Sequence, residues 1–264
     1  MIVAVQHSAY YPHLYYEIKF STFYQTMAIM KTVHFFSFLL VLNVAFLSNV
    51  AFAQENSSKT LNLSGFDRLA MGSAFEINVT KGDYSVKVEG RKEDLDDLEA
   101  NVSGGKLRIE YKDSNRMQNN RKRVIVTITM PTVRGIDFSG ASRSKITGFN
   151  DLKTLDLELS GASKCDIEVK AEKIVLDVSG AVTLDLVGSA DRMEGEISGA
   201  TSMRAYEFPV KEASLDVSGA SSVKINATKK IDLDVSGASS VRYKGGSNSV
   251  RSSTSGASSV KSES

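Results

Sequence analysis

Residues 231–243 read IDLDVSGASSVRY, and the tripeptide at their centre recurs through the second half of the chain. Ser-Gly-Ala stands at 139–141, 160–162, 179–181, 198–200, 218–220, 236–238 and 255–257, at intervals of 21, 19, 19, 20, 18 and 19 residues. Self-similarity at a fixed period near twenty is the mark of a solenoid, a stack of coils that bury their apolar faces only against one another.

The pattern inside the unit selects the kind of solenoid. TLDLELSGASKCDIEV (154–169) and IVLDVSGAVTLDL (174–186) alternate apolar and polar residues on both sides of the corner. That period belongs to half-buried strands, and no sustained helical stripe crosses 135–264. Each unit therefore reads as strand, tight corner, strand and short return, and the stack as a β-helix. The inward column before the corner is Phe138, Leu159, Val178, Ile197, Val217, Val235 and Thr254. Two residues earlier runs Ile136, Leu157, Leu176, Gly195, Leu215, Leu233 and Ser252. After the corner one inward column reads Ser144, Cys165, Leu184, Met203, Val223, Val241 and Val260, which makes Cys165 a small buried apolar residue.

Glycine at the corner follows from sterics, because it alone reaches positive φ without a Cβ penalty. Gly140, Gly161, Gly180, Gly199, Gly219, Gly237 and Gly256 are the expected structural corners, with the alanine tucked into the bend and the serine hydroxyl bonding nearby backbone. The last unit, NSVRSSTSGASSVKSES, puts Ser252 and Thr254 where other units have leucine and valine, and reads as a polar cap on an exposed edge.

The first half is different. Residues 30–53, MKTVHFFSFLLVLNVAFLSNVAFA, have an early lysine, an uncharged apolar run and Ala51-Phe52-Ala53, and read as a signal peptide cleaved before Gln54. Residues 1–29 then read as a mis-called N-terminal extension, and residues 60–264 as a single β-solenoid domain. Within it, 135–264 carry the regular rungs and 60–134 form irregular coils continuous with them, a separate capping sandwich being the alternative. AFEINVTKGDYSVKVEG (74–90) gives two strands around a Lys-Gly-Asp turn, KEDLDDL (92–98) a short helix, GGKLRIEYK (104–112) a turn and strand, and RVIVTITMP (123–131) a strand stopped by Pro131. Residues 113–123 read as a polar loop, with Arg121, Lys122 and Arg123 on a solvated edge.

Composition narrows the chemistry. Residues 1–53 hold Lys19, Lys31 and Glu17, so the other 211 residues carry 30 acids and 30 bases. All three histidines (His7, His13 and His34) also fall in that first segment, which leaves no Ser-His or Cys-His pair and no ordinary zinc site. One cysteine cannot form an internal disulfide, and a balanced charge gives no footprint for nucleic acid.

Taken in order, GSAFEINVTKGDYSVKVEG, GGKLRIEYK, VIVTITMPTVRGIDFSGAS and the repeated LDVSGAS resemble the putative auto-transporter adhesin, head GIN domain family over roughly residues 64–250. Those are exported envelope proteins. The resemblance implies an all-β, right-handed β-helix-like solenoid with about seven short regular rungs, and a surface or adhesive role without catalytic residues. Nothing in the sequence resembles a β-barrel translocator.

The outstanding surface feature is a charge ladder. Two residues before each Ser-Gly-Ala serine stand Asp137, Glu158, Asp177, Glu196, Asp216 and Asp234, with Ser253 last, and Asp156, Glu194 and Asp232 thicken the patch. Like charges about 5 Å apart cost roughly 0.8 kcal/mol even at water's dielectric constant. Either the ladder keeps a strand face soluble, offset by the mostly basic column Lys145, Asp166, Asp185, Arg204, Lys224, Arg242 and Lys261, or it collects Ca²⁺ or a cationic partner. Ser-x-x-Lys at Ser142–Lys145, Ser221–Lys224 and Ser258–Lys261 is no nucleophile motif, because i and i+3 on a strand point to opposite faces. A polysaccharide lyase is the enzyme alternative, but short even rungs and scattered tyrosines do not suggest a sugar cleft. The expectation is a non-catalytic, exported protein, in the periplasm, on the outer-membrane surface or secreted. It has no resident cofactor apart from the Ca²⁺ alternative, and no nucleic-acid partner or membrane span in the mature chain. It binds a cell-surface protein or polysaccharide and leaves a homo-oligomer open.

Overall fold

Every corner joins two extended segments, and the computed structural model, which describes residues 56–112 and 121–263, stacks these segments in parallel register. The long strands β9 (Arg143–Leu159), β10 (Lys164–Val178), β11 (Thr183–Ile197), β12 (Ser202–Val217) and β13 (Ser222–Val235) pair in sequence order. Beyond them, β14 (Ser240–Lys244) and β15 (Ser249–Thr254) pair with the two halves of β13, and β16 (Ser259–Ser262) pairs with β14. The result is a β-solenoid of about seven turns. The expected signal peptide and the extension before it lie outside the described residues, as does most of the polar loop.

Register confirms the inward columns. Cys165 pairs with Ser144 and Leu184, and the column continues through Met203, Val223, Val241 and Val260. Its members are buried except Val260, which is partly covered. Burial pushes the Cys165 thiol up to about 12, so it stays protonated and inert. Ser252 and Thr254 stand exposed on β15, as expected of a polar last coil.

The corners carry an unbroken hydrogen-bond ladder. The amides of Ala162, Ala181, Ala200, Ala220, Ala238 and Ala257 each donate to the glycine carbonyl one rung below, all at 2.8 Å. Each corner glycine has positive φ, and a Cβ on Gly180 would stand 2.5 Å from the Gly161 carbonyl oxygen. Two details differ from expectation. The alanines are exposed on the ridge, not tucked in, because the inward place belongs to the residue after them. That residue, not the corner serine, supplies the short hydroxyl bond: Thr201, Ser221 and Ser258 donate at 2.8 Å to the carbonyls of Ser198, Ser218 and Ser255.

The N-terminal strands join the stack out of sequence order. β8 (Gly135–Ser139) leads into the first regular corner and pairs with β9, while β2 (Arg68–Gly72) pairs with β8 and β3 (Phe75–Lys81) with the start of β9. Outside that coil lie β6 (Lys106–Tyr111), parallel to β2, and β7 (Val124–Met130), parallel to β3. The end is closed by antiparallel strands: β4 (Ser85–Arg91) on β7, β1 (Asn56–Leu61) on β4, and β5 (Leu98–Ser103) on β6. Helix α1 (Lys92–Asp96) links β4 to β5. Although only a tight turn separates β3 from β4, they do not pair, since β7 inserts between them. The turn accepts this because Gly82 donates its amide to the Met130 carbonyl at 3.0 Å and the Thr129 hydroxyl bonds the Asp83 carbonyl at 2.5 Å.

An eighth corner appears at Gly72-Ser73-Ala74. Ser73 stacks beneath Gly140 with φ +122, a conformation that favours glycine, and a Cβ on Gly140 would meet its amide nitrogen at 2.8 Å.

At the other end the last turn is latched. The Tyr206 hydroxyl donates to Glu263 at 2.5 Å, Arg242 pairs with the same carboxylate at 2.9 Å, and the Glu263 amide donates to the Tyr243 carbonyl at 2.7 Å. The Tyr206 and Arg242 bonds hold the Glu263 carboxyl below its ordinary value. A depressed carboxyl stabilises the fold above its unfolded pKa of about 4.3 and loses that contribution as pH falls through its folded value. Thermal melts of the native chain and Glu263→Gln should therefore separate at pH 7, the native chain melting higher, and converge below about pH 3. For the ridge, Gly180→Ala combines positive-φ strain with a backbone clash and should lower stability by about 2 kcal/mol or more in urea unfolding.

Candidate functional site

The acidic ladder forms as a single column. Asp137 pairs in register with Glu158, Glu158 with Asp177, Asp177 with Glu196, Glu196 with Asp216, Asp216 with Asp234, and Asp234 with Ser253. Strand alternation turns all six outward, Asp137 being half-buried and the other five exposed. Asp156, Glu194 and Asp232 occupy alternate rungs of the next outward column, with Val175 and Ser214 between them.

Counter-charges reach this face at its edges only. Lys106 lies 3.8 Å from Asp137, Arg68 lies 3.8 Å from Asp156, and Lys173 pairs with Glu194 at 2.6 Å. Glu158, Asp177, Glu196, Asp216 and Asp234 have no ion-pair partner among the described residues. The basic column beyond the corner does not supply one. Arg204 grips Asp185 within its own column, one of its bonds spanning 2.6 Å, and this contact holds the Asp185 carboxyl below its ordinary value. Arg242 turns to Glu263. Pairing beyond the corner stays on its own face, and the ladder is left charged.

Two depressions mark the ladder face. One, of 230 Å³, lies between Arg68, Lys106, Asp137, Asp156, Glu158 and Asp177. The other, of 470 Å³, opens where Gly195 interrupts the inward leucine column, flanked by Arg192, Glu194, Glu196 and Asp216. Among the described residues no group of three or more His, Cys, Asp or Glu side chains is placed to hold a metal ion. One-rung spacing lines the carboxylates up without converging them.

Ser142 and Ser221 are buried at the corner, while Lys145 is exposed and Lys224 half-exposed. The Ser-x-x-Lys pairs thus occupy opposite faces. Lys122 and Arg123 stand exposed, as expected of a solvated loop edge, but the cluster is anchored through Arg121 and the Lys122 backbone. Arg121 bonds Asp97 at 2.6 Å and lies over the Tyr111 ring at 3.9 Å, and the Lys122 amide donates to the buried Asp94 at 3.1 Å. Asp94 also takes two bonds from Arg91, at 2.8 and 3.1 Å. Sequence reading missed this anchorage because the acids are supplied by α1 and the residue after it, more than twenty positions away.

A family model described as "Putative auto-transporter adhesin, head GIN domain" matches residues 65–247. Solved structures with the same fold include a putative adhesin from Bacteroides fragilis NCTC 9343, at 22% identity and TM-score 0.76 over 80% of this chain and 98% of that one. A putative lipid binding protein from Parabacteroides distasonis ATCC 8503 aligns at 15% identity and TM-score 0.65, and a putative adhesin from Parabacteroides merdae ATCC 43184 at 17% and 0.64. Both cover 80% of this chain and 98% of their own. No curated protein matches the chain.

If repulsion along the ladder is uncompensated, Asp177→Asn with Glu196→Gln removes three adjacent like-charge pairs and should raise stability by about 2 kcal/mol at 10 mM salt and by less than half of that at 1 M. Denaturant melts at the two salt concentrations provide the check.

Proposed function

Since the chain belongs to the putative auto-transporter adhesin, head GIN domain family, we propose that it is an exported, non-catalytic β-solenoid that binds a partner at the bacterial cell surface. The observation that carries this reading is the even stack, whose strand faces offer flat charged columns repeating at about 4.8 Å. Such a face suits an extended partner with a repeating contact, either a cell-surface protein or a polysaccharide. The buried, protonated Cys165 and the separated serine and lysine side chains support a binding role over a catalytic one. Protease shaving of intact cells is expected to remove the chain from the surface fraction. Full protection until the outer membrane is opened would overturn surface display.

A second reading takes the ladder as a Ca²⁺- or glycan-binding strip, favoured by the five unpaired carboxylates. Adding millimolar Ca²⁺ should then raise the thermal midpoint, and an unmoved midpoint rejects the calcium form.

A further inference from the structure

A 790 Å³ groove runs along the corner ridge, and its lining contains none of the ladder acids. Among the described residues its charged lining is Arg121, Lys122, Arg123, Arg143 and Lys164, with no carboxylate. The acids that serve these cations stand behind them: Asp97 under Arg121, Glu76 at 3.2 Å from Arg123, and Asp166 at 3.2 Å from Lys164. Arg143 and the Lys122 ammonium have no ion-pair partner among the described residues. Arg143 and Lys164 are register partners on neighbouring rungs, their backbones about 5 Å apart. Asp166 offsets Lys164, and Glu76, the register partner of Arg143 on its other side, is engaged by Arg123, so Arg143 keeps a charge to offer an anion.

Tyr111 adds a neutral donor to the lining. Burial pushes the Tyr111 phenol up to about 12, so it stays protonated. Ser142 and Ser163 sit in the groove wall almost fully buried, so they shape it without presenting their hydroxyls to a ligand. Gly140, Ala162 and Ala181 make the floor flat. We propose that this groove binds an acidic saccharide chain, whose carboxylate or phosphate oxyanions meet the guanidinium and ammonium groups while its hydroxyls lie on the ridge. The proposal rests on the surface-binding reading above and names the class of ligand for it. An elongated ligand follows from the lining, which spans four successive corners, from Ser73 through Ala181. Nucleic acid fits less well, because stacked bases need an open aromatic face and the Tyr111 ring is flanked by Arg121 and by Phe75 at 5.3 Å. Among the groove's small side chains, an acidic peptide finds no apolar anchor pocket of the kind peptide recognition uses.

The test is calorimetric titration of the full-length chain with tetragalacturonate, which presents carboxylates, and with a phosphomannan oligosaccharide, which presents phosphates. At least one should bind, and the triple variant Lys122→Gln, Arg143→Gln, Lys164→Gln should weaken binding at least tenfold, about the factor expected from the loss of even one charged bond. Lys224→Gln with Lys261→Gln, beyond the groove, should leave affinity unchanged, and circular dichroism checks that every variant keeps its β spectrum. The proposal is overturned if the folded chain binds neither saccharide, if the triple variant binds as well as the native chain, or if an acidic peptide or single-stranded oligonucleotide binds more tightly than both. A chain that fails here yet is shaved from intact cells keeps its surface role and loses only this ligand.

Discussion

The hydrogen bond from each corner alanine to the glycine carbonyl of the rung below is the contact on which the rest of the stack depends. It keeps the backbone ladder continuous through a bend, where most sheets would break. Because the ladder does not break, the strands on both sides of the corner stay in register. Register in turn fixes which side chains enter the core and which stand in columns outside. A Cβ at the corner would strike the carbonyl that accepts this bond, so the residue type and the geometry admit one solution.

The regular rungs were legible because each is specified locally: a period-two pattern on either side of a glycine bend. Cys165 could be placed in the core from that pattern alone. The N-terminal coils were not legible to the same depth. Their strands could be read individually, but β7 wedges between β3 and β4, and β6 lies outside β2, through parallel pairings between segments tens of residues apart. No local pattern encodes such an order. Ser73 escaped notice because the corner there reads Gly-Ser-Ala, with serine in the glycine's place.

The ladder acids could be read as a column from spacing, and the structure adds what spacing cannot give, namely where the cations go. Arg204 and Arg242 are spent on Asp185 and Glu263, so the basic column leaves the ladder unneutralised. The groove cations show the reverse case. Arg121, Arg143 and Lys164 are separated in sequence by about one rung each, and only the stacking of coils makes them neighbours. Both charged strips are therefore products of register, one visible in the repeat and the other not.

The direction of the corner bonds has a mechanical consequence. They point along the stacking axis, so a pull that separates the two ends loads one interface at a time and peels coils in succession. A pull along the strands spreads over every bond of an interface at once. The angle at which tension arrives therefore decides between gradual yielding and firm resistance, and the Glu263 clasp on the final coil sits where peeling would begin.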